Sequence, residues 1–228
     1  MSLQRRIEHV TFTADGVPVS SLFDDPYFSL AGGLAETRHV FLAGSGLPDR
    51  LSDGFRVAET GFGTGLNLIA LVLCWSAAGR PGRLSFTSFE LHPMPPADMA
   101  RAHAAFPETG SVSAELLSLW SEGRRSFVLR GIDVTVITGD ARDTVPGWDG
   151  QADAWFLDGF SPAKNPDLWH TDLMAAVARH TAPGGTFATY TAAGSVRRGL
   201  QAAGFQVSRV PGYGTKRHMS LGRLRPDP

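Results

Sequence analysis

Asp153-Ala154-Trp155-Phe156-Leu157-Asp158-Gly159-Phe160-Ser161-Pro162-Ala163-Lys164-Asn165-Pro166 is the stretch on which the fold turns. An apolar run reaches Leu157, ends in the carboxylate of Asp158 and breaks at once into Gly, Pro and Asn. Such a run reads as a buried parallel strand that delivers a side chain to a loop at its carboxyl end, where open α/β sheets place their ligands. The loop that follows carries Phe160, two prolines and Lys164. It is a stiff wall with one mobile charge.

Outward from this strand the chain alternates. Strands are expected over residues 55–59, 84–90, 132–138, 154–158 and 186–190. Helices are expected over 66–77, 96–106, near Arg142, over 167–181 and over 194–203. Alternation of this length implies a parallel sheet with helices on both faces and right-handed crossovers. Segments 205–210 and 218–224 are joined by a Gly-rich connection without a helix, which implies a final antiparallel strand. The whole resembles the doubly wound, Rossmann-like α/β sheet of class I S-adenosylmethionine-dependent methyltransferases. Residues 113–129 give no clear pattern. Upstream, Val10-Thr11-Phe12-Thr13 and Val17-Pro18-Val19-Ser20 flank the turn signal Ala14-Asp15-Gly16, and a helix is expected around 34–42. Residues 1–54 therefore read as an N-terminal extension packing on a core domain of residues 55–228.

The 228 residues suit one α/β domain with small additions, and 43% hydrophobic content supports a sizeable core. No window approaches the apolar length of a membrane span. Arg5 and Arg6 are not followed by an apolar stretch, so no secretory signal is read and a cytoplasmic location is expected. Cys74, inside Leu71-Val72-Leu73-Cys74-Trp75, reads as a buried structural thiol rather than a nucleophile. The histidines lack metal-ligand spacing and one cysteine builds no zinc site, so no metal is expected.

A net charge of −1 conceals an asymmetry. Residues 173–226 hold no Asp or Glu, yet include Arg179, Arg197, Arg198, Arg209, Lys216, Arg217, Arg223 and Arg225. This pattern suits a local polyanion-binding face or, equally, a solvated surface paired with acids elsewhere in the fold. Both lysines of the chain, Lys164 and Lys216, fall in Pro/Gly-rich loops, where a compact ammonium on a flexible stem is useful.

Glu59-Thr60-Gly61-Phe62-Gly63-Thr64-Gly65 lies between an expected strand and helix. Alternate glycines permit a tight turn and close approach of backbone to a ligand at the helix start. The spacing G-x-G-x-G differs from the dinucleotide pattern G-x-G-x-x-G, and Glu59 would repel a pyrophosphate but not a cationic sulfonium. Glu90 ends the second strand, where a carboxylate accepts from ribose hydroxyls, and Asp140 follows the third, within reach of an adenine amino group. Any one of Glu59, Glu90, Asp140 and Asp158 alone is an ordinary solvated strand end. Four on one sheet edge beside a Gly loop point to S-adenosyl-L-methionine.

Asp158-Gly159-Phe160-Ser161-Pro162 stands where amine methyltransferases of this fold carry a short acidic or amide, proline and aromatic motif. An amine nucleophile must aim its lone pair at the methyl, so its N–H groups need acceptors behind it. Asp158 supplies one, as orienting group first and proton acceptor second, and Phe160 offers a stacking face.

These two motifs, the first extended to Leu66-Asn67, resemble the methyltransferase half of the MnmC family of bifunctional tRNA-modifying proteins. Tyr27-Phe28-Ser29, Glu36-Thr37-Arg38-His39-Val40-Phe41, Val196-Arg197-Arg198-Gly199-Leu200-Gln201 and Gly212-Tyr213-Gly214-Thr215-Lys216-Arg217 match as well. The resemblance spans residues 23–222. It implies methylation of the 5-aminomethyl nitrogen of wobble 2-thiouridine, giving 5-methylaminomethyl-2-thiouridine. It further implies catalytic roles for Asp158, Phe160 and Lys164, and cofactor contacts from Glu59, Gly61, Gly63, Gly65, Asn67, Glu90, Asp140 and Asp158. Arg197, Arg198, Lys216 and Arg217 are expected on phosphates of the anticodon loop. The FAD-dependent oxidase half of the family has no counterpart here, so an oxidase partner or a missing C-terminal half is expected. His218 also departs from the family, which carries a glutamate there. Two other readings compete: an N-methyltransferase for a small amine or protein side chain, and a non-catalytic RNA-binding module. The first leaves the acid-free C-terminal third unexplained, and the intact Gly loop with Asp158 argues against the second.

Overall fold

The computed structural model describes residues 8–29, 32–79 and 82–225. The signal-free reading of residues 1–6 and the terminal residues 226–228 lie outside them.

Strands β1 (Val10–Phe12), β2 (Pro18–Ser20) and β3 (Asp25–Pro26) form a small antiparallel sheet. The Thr13–Gly16 turn is closed by the Gly16 N–H donating to the Thr13 carbonyl at 3.0 Å. Helix α1 (Gly33–Thr37) runs on into a π turn, Arg38–Leu42, and a 3-10 turn, Ala43–Ser45. The alternating part then begins: β4 (Arg56–Thr60), α2 (Leu66–Ala78), β5 (Leu84–Glu90), α3 (Pro96–His103) and α4 (Gly110–Ser121). It continues with β6 (Ser126–Leu129), β7 (Ile132–Thr138), α5 (Ala141–Thr144), β8 (Ala152–Leu157), α6 (Thr171–Arg179) and β9 (Thr181–Thr189). Helix α7 (Gly194–Ala202) and strands β10 (Phe205–Pro211) and β11 (His218–Leu224) complete it.

The eight-stranded sheet has the order β10-β11-β9-β8-β4-β5-β7-β6. Neighbours from β9 to β7 pair in parallel, and β11 inserts antiparallel between β9 and β10. The doubly wound sheet with its antiparallel strand is therefore present. An unforeseen strand, β6, adds a second antiparallel edge. Its two-residue hairpin to β7 is made by Arg130 and Gly131, both with positive φ (48° and 87°), the geometry that matches the twist of paired strands.

Strand β8 shows why its apolar run is continuous. Successive side chains point to opposite faces, and both faces are covered by helices. Phe156 packs with Phe86, Leu68 and Phe41 in one layer, and Trp155 with Phe89, Phe187 and Val177 in the other. Both rings are fully buried. Withdrawing a side chain the size of Phe156 from water contributes about 3 kcal/mol. Cys74 differs from expectation: it is half-buried at the margin of the core. Because β8, β4, β5 and β7 are parallel neighbours, their carboxyl ends reach a common edge. Paired residues Leu157 with Thr60, Thr60 with Phe89, and Glu90 with Thr138 mark that edge.

Candidate active site

The loop after β4 carries the tight geometry its glycines permit. Gly61 has φ +78°, its N–H donates to the Phe89 carbonyl at 2.8 Å, and a Cβ there would meet the Asp158 carbonyl at 3.4 Å. Gly63, at φ +52°, donates its N–H to Oε2 of Glu90 at 2.9 Å, while the His92 N–H donates to Oε1 at 2.7 Å. The far side of the loop is fixed by His103, whose ring bridges the Thr64 carbonyl (2.7 Å) and the Ser113 hydroxyl (2.6 Å). Burial holds that imidazole below its ordinary pKa, towards the neutral form.

Asn67, in the first turn of α2, ties three segments together. The Thr37 hydroxyl donates to its Oδ1 at 2.9 Å, and its Nδ2 donates to Glu59 Oε1 (2.7 Å) and to Asp158 Oδ2 (2.8 Å). The second oxygen of Glu59 accepts from the Ser88 hydroxyl at 2.7 Å. Asp158 Oδ1 accepts from the Gly159 N–H at 2.8 Å, and the Thr60 hydroxyl donates to the Asp158 carbonyl at 2.8 Å. Burial pushes the Asp158 carboxyl up to about 6, against the lowering influence of the Gly159 and Asn67 hydrogen bonds and of Lys216. Burial, reinforced by the charges of Asp158 and Glu90, also raises Glu59 well above the carboxylate range.

These loops enclose a cavity of about 580 Å³, a size ordinary for a cofactor site. Gly61, Gly63, Asn67, Glu90, Asp140 and Asp158 line it, and so do Phe160 and Lys216. Several expected site residues stand otherwise than the sequence suggested. Glu59 is fully buried beneath the loop with both oxygens engaged, so it anchors Asn67 and does not face the cavity. Gly65 lies behind it too, as the left-handed residue that opens α2. Asp140 caps α5, accepting from the Arg142 N–H at 2.9 Å, and its carboxylate is covered by the Arg142 guanidinium, which lowers its pKa. Phe160 turns part of its ring to the N-terminal segment, stacking on Phe23 at 4.7 Å and meeting Tyr27 edge-on at 5.0 Å. Lys164 is outside the cavity, paired with Asp24 at 2.6 Å as an exposed clamp between two loops.

The C-terminal basic residues divide. Arg197 and Arg198 sit near the start of α7, which follows β9 and so lies at the carboxyl edge. Arg198 and Arg217 are exposed and Arg197 is half-buried, its Nε donating to the Ala192 carbonyl at 3.3 Å. Lys216 is exposed as well, at the rim of the cavity, where its Nζ donates to Glu36 Oε1 at 2.8 Å. The ion pair engages the ammonium that was expected on a phosphate.

Residues 108–225 match the family described as S-adenosyl-L-methionine-dependent methyltransferase, just over half of the chain. The chain belongs to that family. Among curated relatives, the tRNA 5-methylaminomethyl-2-thiouridine biosynthesis bifunctional protein MnmC of Chromobacterium violaceum is 47% identical over 225 residues, 94% of this chain and 34% of that protein. The protein of the same name from Caulobacter sp. strain K31 is 50% identical over 216 residues, 89% of this chain and 36% of that one. The chain thus spans about a third of the length of the curated relatives it matches. The crystal structure of MnmC2 from Aquifex aeolicus superposes with a TM-score of 0.76 at 25% identity, covering 98% of this chain and 74% of that one.

The cavity suits the cofactor of a methyltransferase family of this kind. In a dinucleotide enzyme the loop amides face a pyrophosphate. Here the Gly63 amide is already occupied by Glu90, and the walls add Asp25, Glu36 and Asp158. Such a surface favours a cationic ligand bearing hydroxyls and disfavours a polyphosphate. Sequence reading missed Glu36, Thr37, Tyr27 and Tyr190 as parts of the methyltransferase cavity. Three of the four lie within quoted motifs, and Tyr190 was visible as the last residue of an expected strand, the position that had marked Asp158.

Proposed function

We propose that the chain transfers a methyl group from S-adenosyl-L-methionine to the 5-aminomethyl nitrogen of wobble 2-thiouridine in tRNA, giving 5-methylaminomethyl-2-thiouridine. The observation that carries the reading is Asp158. Its carboxyl is anchored to α2 and β4 through Asn67 and lines the same cavity as Glu90. The printed name of the curated relatives supports the tRNA substrate, and the exposed arginines at the carboxyl edge support a polyanionic partner.

In this reading Glu90 accepts from the ribose hydroxyls, Asp140 and Arg142 border the adenine, and Gly61, Gly63 and Asn67 shape the floor, with Glu59 and Gly65 behind them. When bound, the cofactor supplies an electrophilic methyl: the amine lone pair forms the new N–C bond while the C–S electron pair leaves with sulfur. Asp158 accepts an N–H bond from the amine, which aims the lone pair away from the carboxyl, and takes up the proton the product sheds. Phe160 packs on the base, and Lys164 holds the loop through Asp24. Arg197, Arg198 and Arg217 meet phosphates beside a wobble base already splayed in a single-stranded loop. Residues 1–54 act as an extension that completes the wall of a domain over 55–228. The oxidase step implied by the family resemblance falls to a further portion or a separate partner, in the cytoplasm.

Mass spectrometry of nucleosides tests this directly. Aminomethyl-thiouridine tRNA incubated with methyl-labelled cofactor should yield labelled 5-methylaminomethyl-2-thiouridine. Cofactor binding with no label entering that nucleoside would remove the substrate assignment.

A further inference from the structure

The loop between β10 and β11 folds back on itself, with the Gly212 N–H donating to the Arg217 carbonyl at 3.1 Å and the Lys216 N–H to the Tyr213 carbonyl at 3.0 Å. That turn brings the Lys216 side chain against α1 at the rim of the cavity, where it stays 41% exposed beside an exposed Arg217. Two groups then hold the ammonium. Glu36, 10% exposed, accepts from it at 2.8 Å, and the ring of Tyr190 lies 4.3 Å away at its centroid. Tyr190 is itself fixed, its hydroxyl donating to the Gly159 carbonyl at 2.9 Å. Three segments distant in sequence converge on one cation at the rim of the cavity that Asp158 also lines. An isolated surface ion pair contributes little to stability, so this convergence calls for another reason.

We propose that Lys216 is a positioning residue for methyl transfer, its ammonium keeping the Asp158 carboxyl ionised and the docking amine in its unprotonated, nucleophilic form. The inference rests on the reading of the chain as an amine methyltransferase. An aliphatic amine titrates near 10.4 and so arrives as an ammonium with no lone pair to offer. The groups at that end of the cavity are Glu36 from α1, Asp25 from β3, Asp158 after β8, Tyr190 after β9 and Lys216, with Glu59 buried behind them. Without Lys216, the carboxylates of Asp158 and Glu36 would hold the amine protonated, because neighbouring anions favour the charged form. With Lys216 in place, Glu36 is neutralised and a second cation beside the first is disfavoured. The amine then gives up one proton to solvent on docking. Its second proton leaves through Asp158 once the methyl is attached. Consistent with the geometry, the field of Lys216 lowers the Asp158 titration.

The test compares Lys216→Met and Lys216→Arg with the wild-type chain in two measurements. One is the pH dependence of single-turnover methyl transfer to aminomethyl-thiouridine tRNA. The other is a ¹³C NMR titration of the Asp158 carboxyl in the protein alone. For Lys216→Met the Asp158 titration and the acid limb of the rate profile should both move up by at least about one unit, a shift ordinary for one close charge. With Asp158 titrating near 6, a one-unit rise costs about twofold in rate at pH 7 and about tenfold near pH 5, recovered on raising the pH, with KM for tRNA unchanged. Lys216→Arg should restore both. Lys216→Gln keeps an N–H donor without the charge and must give the same displacement should the Met variant melt early. A Met variant with an unmoved limb and an unmoved Asp158 titration overturns the proposal, as does a raised KM with flattened salt dependence, which marks a phosphate contact. Should the wild-type chain leave this tRNA unmethylated, the substrate reading falls, and the NMR arm still decides whether Lys216 governs Asp158.

Discussion

Replacing Asp158 by asparagine should stabilise the fold at alkaline pH and leave it little changed in acid. Burial raises this carboxyl from 3.8 to about 6. A carboxyl whose folded pKa is raised favours the fold while it is neutral. That contribution is fully present below 3.8 and is lost as pH rises through about 6. Near pH 8 the ionised Asp158 therefore costs the fold about 3 kcal/mol, from a gap of roughly two units at about 1.4 kcal/mol each. Near pH 4.5 the same linkage leaves about 1 kcal/mol. Asparagine removes this term at every pH but has one acceptor oxygen where the carboxylate has two. Either the Asn67 Nδ2 or the Gly159 N–H then loses its partner, at about 1 kcal/mol independent of pH. The variant should be more stable than wild type by about 2 kcal/mol near pH 8 and about equal near pH 4.5. Urea titrations of both proteins across this range measure it, with linear extrapolation at matched slope. A wild-type-to-variant difference that stays constant from acid to alkaline pH would mean that Asp158 titrates like an ordinary carboxylate, and the burial argument would fail.

Gly63→Ala places a Cβ 3.3 Å from the Tyr27 ring at a positive φ, and calorimetry should report at least a tenfold loss of S-adenosyl-L-methionine affinity with the fold retained; unchanged affinity would put the cofactor elsewhere. Asp158→Ala should slow single-turnover methyl transfer by at least about 100-fold while the Michaelis constant for tRNA moves little, and a wild-type rate would end the assignment of this loop to the amine. Joint replacement of Arg197, Arg198 and Arg217 by Ala should weaken tRNA binding and flatten its log–log salt dependence by about 1 per lost contact. A slope equal to that of the wild type would return those arginines to the role of a solvated face.

Period and punctuation made most of the sheet readable. Residues 84–90, 132–138 and 218–224 were bounded correctly because Gly or Pro stands within four residues of each end, and the Ala14-Asp15-Gly16 turn announced β1 and β2. Strand β6 was not readable. It is an edge strand of four residues that exposes Ser126 and Val128, and its turn uses Arg130 where Asn or Asp would have been a signal. At the site, the four acids at strand ends were legible because strand order follows from alternation. What each carboxylate touches depends on contacts between distant segments. Glu59 pairs in register with Ser88, one step short of the strand end, and Asn67 and Ser88 close over it, whereas Glu90 ends its strand and accepts from the Gly63 and His92 amides. Nothing local to Lys216 says that it will pair with Glu36.

The pairing of Glu36 with Lys216 joins residues 180 positions apart, and Asp25 reaches across 136 to accept from the Ser161 N–H. The first wall of the cavity is therefore synthesised long before the residues that close it. A nascent chain that has released β4 and α2 possesses the Gly loop, yet lacks the enclosure until the β10–β11 turn has emerged. Contacts of such separation form late and slowly, since loop closure must precede their reward. Ligand capture then waits on the β10–β11 turn: until it emerges the cavity lacks the wall that Glu36 and Lys216 close, and cofactor binding stabilises only molecules in which those two segments have met.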